Sequence, residues 1–197
     1  MAKQRLKKGL IFVISGPSGS GKTTLLKKLL NDKALSPRLV KSISLTTRPK
    51  RSVEKEGRDY FFISRKEFQQ KKRAKKLLEW TRYLGYDYAT PKDFVEGNLA
   101  KGRSAALCLD LKGGARIKKL YPKNSVTIFI KPPSIAQLQE RIEARCKETR
   151  RLEIKKRLGL ARRELLFAGK YDYSLVNRNL GAALEELKEI VLIETGR

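Results

Sequence analysis

The chain has 197 residues, and its 46 Lys and Arg residues against 20 Asp and Glu residues give a formal net charge of +26. Hydrophobic residues make up 40% of the chain, which is enough for one folded domain and excludes a disordered basic tail, and no apolar run approaches the ~20 residues of a membrane span. The chain has no histidine and two cysteines, Cys108 and Cys146, which excludes histidine-based catalysis, histidine-ligated metals and a disulfide framework. The charge indicates a polyanionic ligand, which can be a nucleotide, a nucleic acid or an acidic membrane surface.

Apolar runs alternate with helical patterns along the chain. The wholly apolar run at 10–14 predicts a buried parallel strand, and the leucines of 23–30 predict a helix after it. In chain order, we predict further strands at 39–45, 60–63, 104–111, 126–130 and 173–176, and further helices at 65–76, from Ser134 through Arg141 and at 182–192. This alternation predicts one domain of the α/β class with a mainly parallel sheet.

The positive charge is concentrated in two of these segments. Residues 65–76 carry seven basic side chains against Glu67 alone, and residues 141–163 carry ten. Both segments are interleaved with apolar residues at helical spacing. Solvated helix faces are therefore the simplest interpretation of most of this charge.

A phosphate-binding loop joins the first predicted strand to the first helix. Residues 16–23 read GPSGSGKT, which matches the pattern G-x-x-x-x-G-K-[ST] in the strand–loop–helix context that it requires. Glycines let successive backbone N–H groups wrap a phosphate, Lys22 can reach the β- and γ-phosphates, and the Thr23 hydroxyl can join the shell of Mg²⁺. The sequence therefore predicts ATP or GTP binding by Gly16, Pro17, Ser18, Gly19, Ser20, Gly21, Lys22, Thr23 and Thr24.

A second basic motif follows the next predicted strand. Residues 42–51 read SISLTTRPKR, and Glu54, Gly57 and the run DYFF at 59–62 come after it. Arg48 and Arg51, three positions apart, can form a fork for a second phosphate, and a tyrosine hydroxyl can add a neutral donor. From these residues alone, an ordinary pair of surface arginines is an equally good interpretation.

The phosphate loop and this second motif together resemble the guanylate kinase family. The resemblance extends over residues 9–192 through further motifs in the family's order, such as LEW at 78–80, IFIKPPS at 128–134 and YDYSLVN at 171–177. It implies the P-loop NTPase fold, in which helices flank a mainly parallel sheet. It also implies a core at about 9–40, 98–140 and 160–197, a small inserted GMP-binding region at about 41–97 and a helical lid at about 141–159.

The resemblance implies a reaction and the residues that perform it. The family transfers the γ-phosphate of ATP to GMP with Mg²⁺, giving ADP and GDP. The guanine contacts would be Ser44, Glu79 and Thr90, and a carboxylate suits the N1–H and N2 donors of guanine. The ligands of the GMP phosphate would be Arg48, Arg51, Tyr60 and Tyr88. The catalytic cations would be Lys22, Arg48, Arg141, Arg145 and Arg157.

Three further assignments follow from the resemblance. Asp110 would lie near the GMP base and the water shell of the metal, which Thr23 would help to hold, and Asn177 would lie beside the adenine. The expected partners are the small molecules ATP and GMP, without a membrane or a specific nucleic acid, although the charge leaves weak nonspecific nucleic-acid binding open. We expect a cytoplasmic enzyme of purine nucleotide metabolism, as a monomer or a small homo-oligomer.

The sequence departs from the family pattern at several positions. Val53 replaces a glycine before Glu54, and it would strain the turn if that turn needs a positive φ. Ala89 replaces a glycine beside the base pocket and is expected to crowd it, and Cys108 replaces the first acid of an Asp-x-Asp strand end. The lid resembles the family's with one extra residue, and Arg150 and Arg151 replace its acids. We expect these changes to affect rate and lid geometry more than substrate identity.

Three other functions are compatible with parts of this pattern. The first is a noncatalytic guanylate kinase-like module that binds phosphopeptides, which the intact phosphate loop disfavours. The second is a nucleic-acid-binding protein, but the sequence holds no recognition module. The third is a kinase for another nucleoside monophosphate, and Ser44 and Glu79 argue against it.

Overall fold

The computed structural model describes residues 9–145 and 151–196. Cys146 and Arg150 lie outside the described residues, as do the side chains of Arg145 and Arg151, so the predicted lid is described only in part. The described strands are β1 (Ile11–Ser15), β2 (Leu39–Lys41), β3 (Leu45–Thr46), β4 (Phe61–Phe62), β5 (Leu77–Tyr83), β6 (Tyr86–Pro91), β7 (Ser104–Cys108), β8 (Ser125–Lys131) and β9 (Tyr173–Val176). The described α-helices are α1 (Lys22–Leu30), α2 (Arg65–Arg73), α3 (Lys92–Ala100), α4 (Leu111–Leu120), α5 (Ile135–Arg145), α6 (Arg151–Leu165) and α7 (Leu180–Glu194).

The strands form two sheets. The larger sheet has the order β2-β7-β1-β8-β9, and every pairing in it is parallel. The smaller sheet has the order β4-β3-β6-β5, and its β3–β6 and β5–β6 pairings are antiparallel. The predicted α/β fold with a mainly parallel sheet and flanking helices is therefore confirmed, and the smaller sheet is formed by strands from the predicted inserted region.

The central strand β1 explains why its sequence is wholly apolar. Phe12 and Ile14 pack on one face of the large sheet against leucines of α1 and residues of α7. Ile11 and Val13 pack on the other face against residues of α3 and α4. A parallel strand covered by helices on both faces needs apolar residues at every position. This packing fixes the end of β1, from which the phosphate loop emerges.

Two predicted strand boundaries are wrong. The strand predicted at 39–45 is two strands in different sheets, β2 and β3, because the chain leaves the large sheet after Lys41 and pairs Leu45 with Phe61 and Ala89 in the small sheet. The strand predicted at 104–111 ends at Cys108, and Leu111 begins α4. Asp110 causes this change, because its Oδ1 accepts a hydrogen bond from the Gly113 amide at 2.8 Å and caps the helix.

The small sheet packs on helix α2 through a separate core. Phe68 of α2 is fully buried against Leu45 of β3 and Ala89 of β6. Ser64 and Glu67 form a reciprocal capping box at the start of α2. The helix ends at Arg73, earlier than predicted, and Lys75 turns the chain with a φ of 54°. This arrangement presents the basic side chains of α2 to solvent.

Candidate active site

A cleft of roughly 1470 Å³ is lined by residues of both sheets. It begins at the phosphate loop after β1, and the β5–β6 hairpin and part of α6 also contribute to it. Most predicted site residues lie on its walls: Gly16, Ser18, Gly19, Gly21, Lys22, Thr23, Thr24, Ser44, Arg48, Arg51, Tyr60, Glu79, Tyr88, Asp110 and Arg157. Five further predicted residues are hydrogen-bonded near the cleft without lining it. Pro17 accepts from Lys22, Thr90 donates to Glu79, and Asn177 joins Ser20 to Arg141.

The phosphate loop has a backbone that only glycine tolerates at two contact points. Gly16 and Gly21 have φ values of 137° and 96°. A Cβ atom at Gly16 would collide with the Ile130 carbonyl, and one at Gly21 would collide with the Asn177 amide. The glycines are therefore needed both for the turn and for the close approach of β8 and the segment after β9.

Lys22 begins helix α1 and turns back over the loop. Its Nζ donates to the carbonyl oxygens of Gly16 at 2.6 Å and Pro17 at 2.8 Å. Thr23 and Thr24 follow it on the first turn of α1 with exposed side chains that line the cleft. The helix N-terminus and the ammonium group together make this end of the cleft positive.

Asn177 and two arginines hold the loop from outside. Asn177 is 5% exposed and donates from Nδ2 to the Ser20 carbonyl at 2.8 Å, so its amide braces the loop. Arg141 donates to the Asn177 carbonyl at 3.2 Å, and Arg157 donates to the Ser18 hydroxyl at 3.3 Å. Of the three predicted lid arginines, Arg157 thus contacts the phosphate loop and Arg141 contacts the residue that braces it, and the side chain of Arg145 lies outside the described part.

A second cationic group on the wall of the cleft is assembled around Glu54. Arg48 donates from NH2 to both Glu54 oxygens, at 2.7 and 2.9 Å, and its guanidinium lies 5.6 Å from the centre of the Tyr60 ring. Glu54 also accepts from the Arg51 amide at 2.9 Å. The Tyr60 and Tyr88 rings meet edge to face with centroids 5.9 Å apart. The predicted phosphate fork is therefore assembled around one carboxylate.

Charge states in this fork follow from burial and pairing. Burial opposes ionisation of Glu54, but the hydrogen bonds from Arg48 and the Arg51 amide outweigh it and hold the pKa of that carboxyl below its usual value. Burial raises the pKa of Tyr60 to about 12, so its hydroxyl stays a neutral donor. The sequence motif includes Glu54 without a role. Its position three residues after Arg51 is the signal that identifies it as the residue that orients the fork.

The β5–β6 hairpin builds a pocket around a buried carboxylate. Glu79 is 3% exposed, and its Oε1 accepts from the Thr90 hydroxyl at 2.6 Å because the two residues face each other across the hairpin. Its Oε2 has no hydrogen-bond partner among the described residues. Burial raises the pKa of Glu79 to about 7, and the nearby charge of Asp110 adds to this effect. This buried oxygen, which borders the cleft, is available to accept a hydrogen bond from a ligand.

Asp110 and Glu164 complete the acidic side of the cleft. Both Asp110 oxygens are used inside the protein, since Oδ1 caps α4 and Oδ2 accepts from the Thr81 hydroxyl at 2.9 Å. Glu164 of α6 lines the cleft, is 9% exposed and has no partner for its Oε2 among the described residues. Burial raises the pKa of Glu164 to about 7, against the opposing effect of Lys22. The sequence assigns Glu164 no role, because the burial of one acid in a basic helix leaves no local pattern.

The departures from the family pattern have different structural outcomes. Val53 is 80% exposed and is absent from the described non-glycine residues with positive φ, so the predicted strain does not occur. Ala89 is buried in the core beneath the small sheet. Cys108 lines the cleft, and burial raises the pKa of its thiol, so it adds no charge there.

Comparisons with known proteins agree with this geometry. The sequence model of the family described as Guanylate kinase matches residues 8–194. The chain is similar to a guanylate kinase of Thermotoga maritima, with 43% identity over 190 residues that cover 96% of this chain and 89% of that protein. It is also similar to a guanylate kinase of Bacillus cereus, with 41% identity and coverage of 96% and 91%. The crystal structure of guanylate kinase from Anaplasma phagocytophilum matches the fold with a TM-score of 0.81 at 31% identity, covering 97% of this chain and 88% of that one. Within the described residues, no helix combines the length and hydrophobicity needed to cross a membrane.

Proposed function

The chain belongs to the guanylate kinase family, and from this premise we propose which of its residues perform the transfer of the γ-phosphate of ATP to GMP. The observation that carries the assignment is that two cationic groups and a buried carboxylate line one cleft. The first group is the phosphate loop with Lys22, the second is the fork of Arg48 and Arg51, and the carboxylate is Glu79. This set matches two phosphorylated ligands, one of which has a guanine base.

The phosphate loop is the proposed ATP site. Its backbone N–H groups and Lys22 bind the β- and γ-phosphates, and Asn177 braces the loop beside the adenine. The residues proposed to surround the ATP phosphates are Gly16, Pro17, Ser18, Gly19, Ser20, Gly21, Lys22, Thr23, Thr24, Arg141, Arg145 and Arg157.

Mg²⁺ fits the same end of the cleft. The exposed Thr23 hydroxyl on the first turn of α1 is a neutral oxygen donor of the kind that Mg²⁺ accepts beside nucleotide phosphates. Asp110 lies in the same cleft with both oxygens already bonded, which suits a contact through water rather than direct ligation. When bound, the ion neutralises phosphate charge.

The fork and the hairpin form the proposed GMP site. Arg48, Arg51, Tyr60 and Tyr88 bind its phosphate. The free oxygen of Glu79, together with Ser44 and Thr90, accepts from the guanine base. An adenine edge presents no second donor to that carboxylate, so the pocket favours guanine over adenine.

The reaction needs alignment and charge neutralisation rather than a general base. The nucleophile is a GMP phosphate oxygen that is already ionised at neutral pH, which agrees with a chain that lacks histidine. It attacks the γ-phosphorus of ATP as the bond to the ADP oxygen breaks. Lys22, Arg48 and the lid arginines hold the two phosphates in line and stabilise the charge that spreads over the transferred group. Closure of the lid at about 141–159 excludes water that would otherwise hydrolyse ATP.

We also propose a diffusible enzyme in the cytoplasm, as a monomer or a small homo-oligomer that acts on free nucleotides. Support comes from the family membership. Light scattering coupled to size-exclusion chromatography measures the oligomeric state, and a large assembly would contradict the proposal.

A coupled ADP-release assay with GMP, AMP, UMP and CMP tests the assignment. GMP is expected to be the preferred acceptor. Lys22→Ala should lower turnover by about 10³-fold, because it removes a cation from the transferred phosphate. Lys27→Ala, which removes an exposed lysine from the same helix, is the matched control and should stay within about twofold. Near-normal turnover by Lys22→Ala would refute the proposed role of the loop.

A further inference from the structure

Helix α2 and the segment after it carry seven cations that the reaction does not use. Five of them are exposed and Lys71 and Lys72 are half-buried, and none of the seven lines the cleft or forms a salt bridge within the described residues. The one acid of this segment, Glu67, accepts from the amide and the hydroxyl of Ser64 instead. The seven are Arg65, Lys66, Lys71, Lys72, Arg73, Lys75 and Lys76.

An exposed tryptophan contacts one of these cations, Lys72. Trp80 lies on β5, an edge strand of the small sheet, and is 48% exposed, although its neighbours Glu79 and Thr81 are buried. The Lys72 ammonium lies 3.4 Å from the centre of the Trp80 ring. The chain's single tryptophan is therefore half-exposed and in cation–π contact with a lysine of α2. We name the seven cations and Trp80 the α2–Trp80 face.

We propose that the α2–Trp80 face binds single-stranded nucleic acid without sequence specificity. The lysines and arginines contact phosphates along the strand. An unpaired base displaces the Lys72 ammonium, which covers the Trp80 ring in the ligand-free protein, and stacks on the indole. Proteins that bind single strands without sequence preference combine these two features, a positive track and an aromatic platform. Such a ligand explains why this charge is clustered, mostly exposed and not neutralised by salt bridges within the described residues.

The same face argues against a membrane as the ligand. Phe68, the one apolar residue of α2, is fully buried, so the helix has no apolar side chain to insert into lipid. It also favours single strands over duplexes, because the bases of a duplex are stacked on one another and leave no free ring face for Trp80. Binding to a duplex and binding to lipid vesicles are therefore measured as the two alternatives.

The first measurement uses the tryptophan itself. Because the chain has one tryptophan, stacking of a base on Trp80 should quench the intrinsic tryptophan fluorescence of the whole protein. We expect this quenching with oligo-uridylate of about 12 nucleotides, at micromolar concentrations and low salt, and its loss between about 50 and 200 mM salt. Saturating ATP and GMP should not prevent it. Competition by these nucleotides would place the oligonucleotide in the cleft and overturn the proposal.

The second measurement compares two variants with the same net charge. Lys71→Gln, Lys72→Gln, Lys75→Gln and Lys76→Gln together should weaken binding of a labelled oligonucleotide by about tenfold or more, measured by anisotropy. The matched control replaces four exposed lysines elsewhere, Lys101, Lys112, Lys119 and Lys123, with glutamine and should weaken it by about threefold at most. Equal losses in the two variants would show diffuse attraction to the whole surface and overturn the proposal.

A third comparison isolates stacking. Trp80→Ala should weaken binding by about tenfold, and Trp80→Phe, which keeps an aromatic ring, should recover most of that loss. Retained kinase activity in each variant shows that the fold is intact. Tighter binding to a duplex of the same length, or to vesicles with anionic lipids, would replace the single-stranded ligand and contradict the proposal.

Discussion

Arg48 and Lys72 are both cations placed over aromatic rings, yet their surroundings differ. The Arg48 side chain is 11% exposed, donates from one nitrogen to both oxygens of Glu54 and lies 5.6 Å from the Tyr60 ring centre. Lys72 lies over Trp80 and forms no salt bridge within the described residues. A cation that must meet a reacting phosphate is fixed in advance by a carboxylate, whereas the α2 cations are mostly exposed and form no salt bridge within the described residues. The two groups of cations therefore differ in how firmly the protein holds them before a ligand binds, and not in how much charge they carry.

The largest expected effect is loss of the fixed cation. Arg48→Ala should lower kcat/KM for GMP by about 10³-fold, because the phosphate of the acceptor loses a bidentate cation. Arg48→Lys should recover little of that activity, since an ammonium cannot reproduce the fork. Steady-state kinetics with GMP varied gives both values.

A matched control separates position from charge in this experiment. Arg58 is an arginine of the same region whose side chain is 52% exposed and pairs with Asp59, and Arg58→Ala should stay within about twofold of the parent. If Arg58→Ala and Arg48→Ala lost activity equally, the distinction between fixed and solvated cations would fail. Since Arg48→Ala also leaves Glu54 buried without its partner, thermal unfolding should be measured alongside.

Glu79 allows the same test on a buried carboxylate that is proposed to bind the guanine base. Glu79→Gln should lower kcat/KM for GMP by about 10²-fold with little change in the KM for ATP, because the amide presents an N–H where guanine needs an acceptor. The same substitution should raise the melting temperature of the ligand-free protein at pH 8, since it removes a buried charge with one unpaired oxygen. Equal losses for both nucleotides would contradict the guanine assignment.

Protonation of the same carboxyl predicts a pH dependence of GMP binding. With the pKa of Glu79 near 7, about one tenth of the ligand-free protein is ionised at pH 6, so the apparent KM for GMP should rise about tenfold between pH 8 and pH 6. The raised pKa also means that the folded state binds this proton more tightly than the unfolded chain. Stability from that proton is complete below the ordinary pKa and is lost as the pH rises through about 7. The Glu79→Gln variant should lack this part of both profiles, which separates it from titration of the GMP phosphate and of Glu164.

The sequence predicts both groups of cations, but it does not predict the aromatic ring beside Lys72. The phosphate loop is local: eight consecutive residues between an apolar strand and a helix specify its geometry, so the motif alone predicts it. The basic character of α2 is equally visible in the sequence. Trp80 cannot be assigned to that face from sequence, because its neighbour Lys72 is brought to it by packing of α2 on the small sheet.

Long-range pairing also explains what the sequence misses in the site. Glu79 and Thr90 meet only through the β5–β6 hairpin and its register shift between Leu77 and Glu79, and no hairpin is predicted at 77–91. The strand predicted at 39–45 fails for a related reason, since an alternating pattern does not reveal that the chain passes from one sheet to another. Burial of Glu164 and the bracing contact of Asn177 likewise depend on elements distant in sequence.

The smallest expected effect is the sharpest test of the comparison. Replacing Lys71, Lys72, Lys75 and Lys76 with glutamine removes four positive charges but none that lines the cleft. At physiological salt, where charges are screened within about 8 Å, kcat/KM for GMP should fall by less than about twofold. At low salt a somewhat larger loss is expected, because the anionic substrates are then attracted by the whole surface, and the Lys101, Lys112, Lys119 and Lys123 variant should show the same loss. A tenfold loss at physiological salt in the α2 variant alone would show that these lysines, like Arg48, are cations of the reaction. The distinction between cations fixed by a carboxylate and exposed cations would then be wrong.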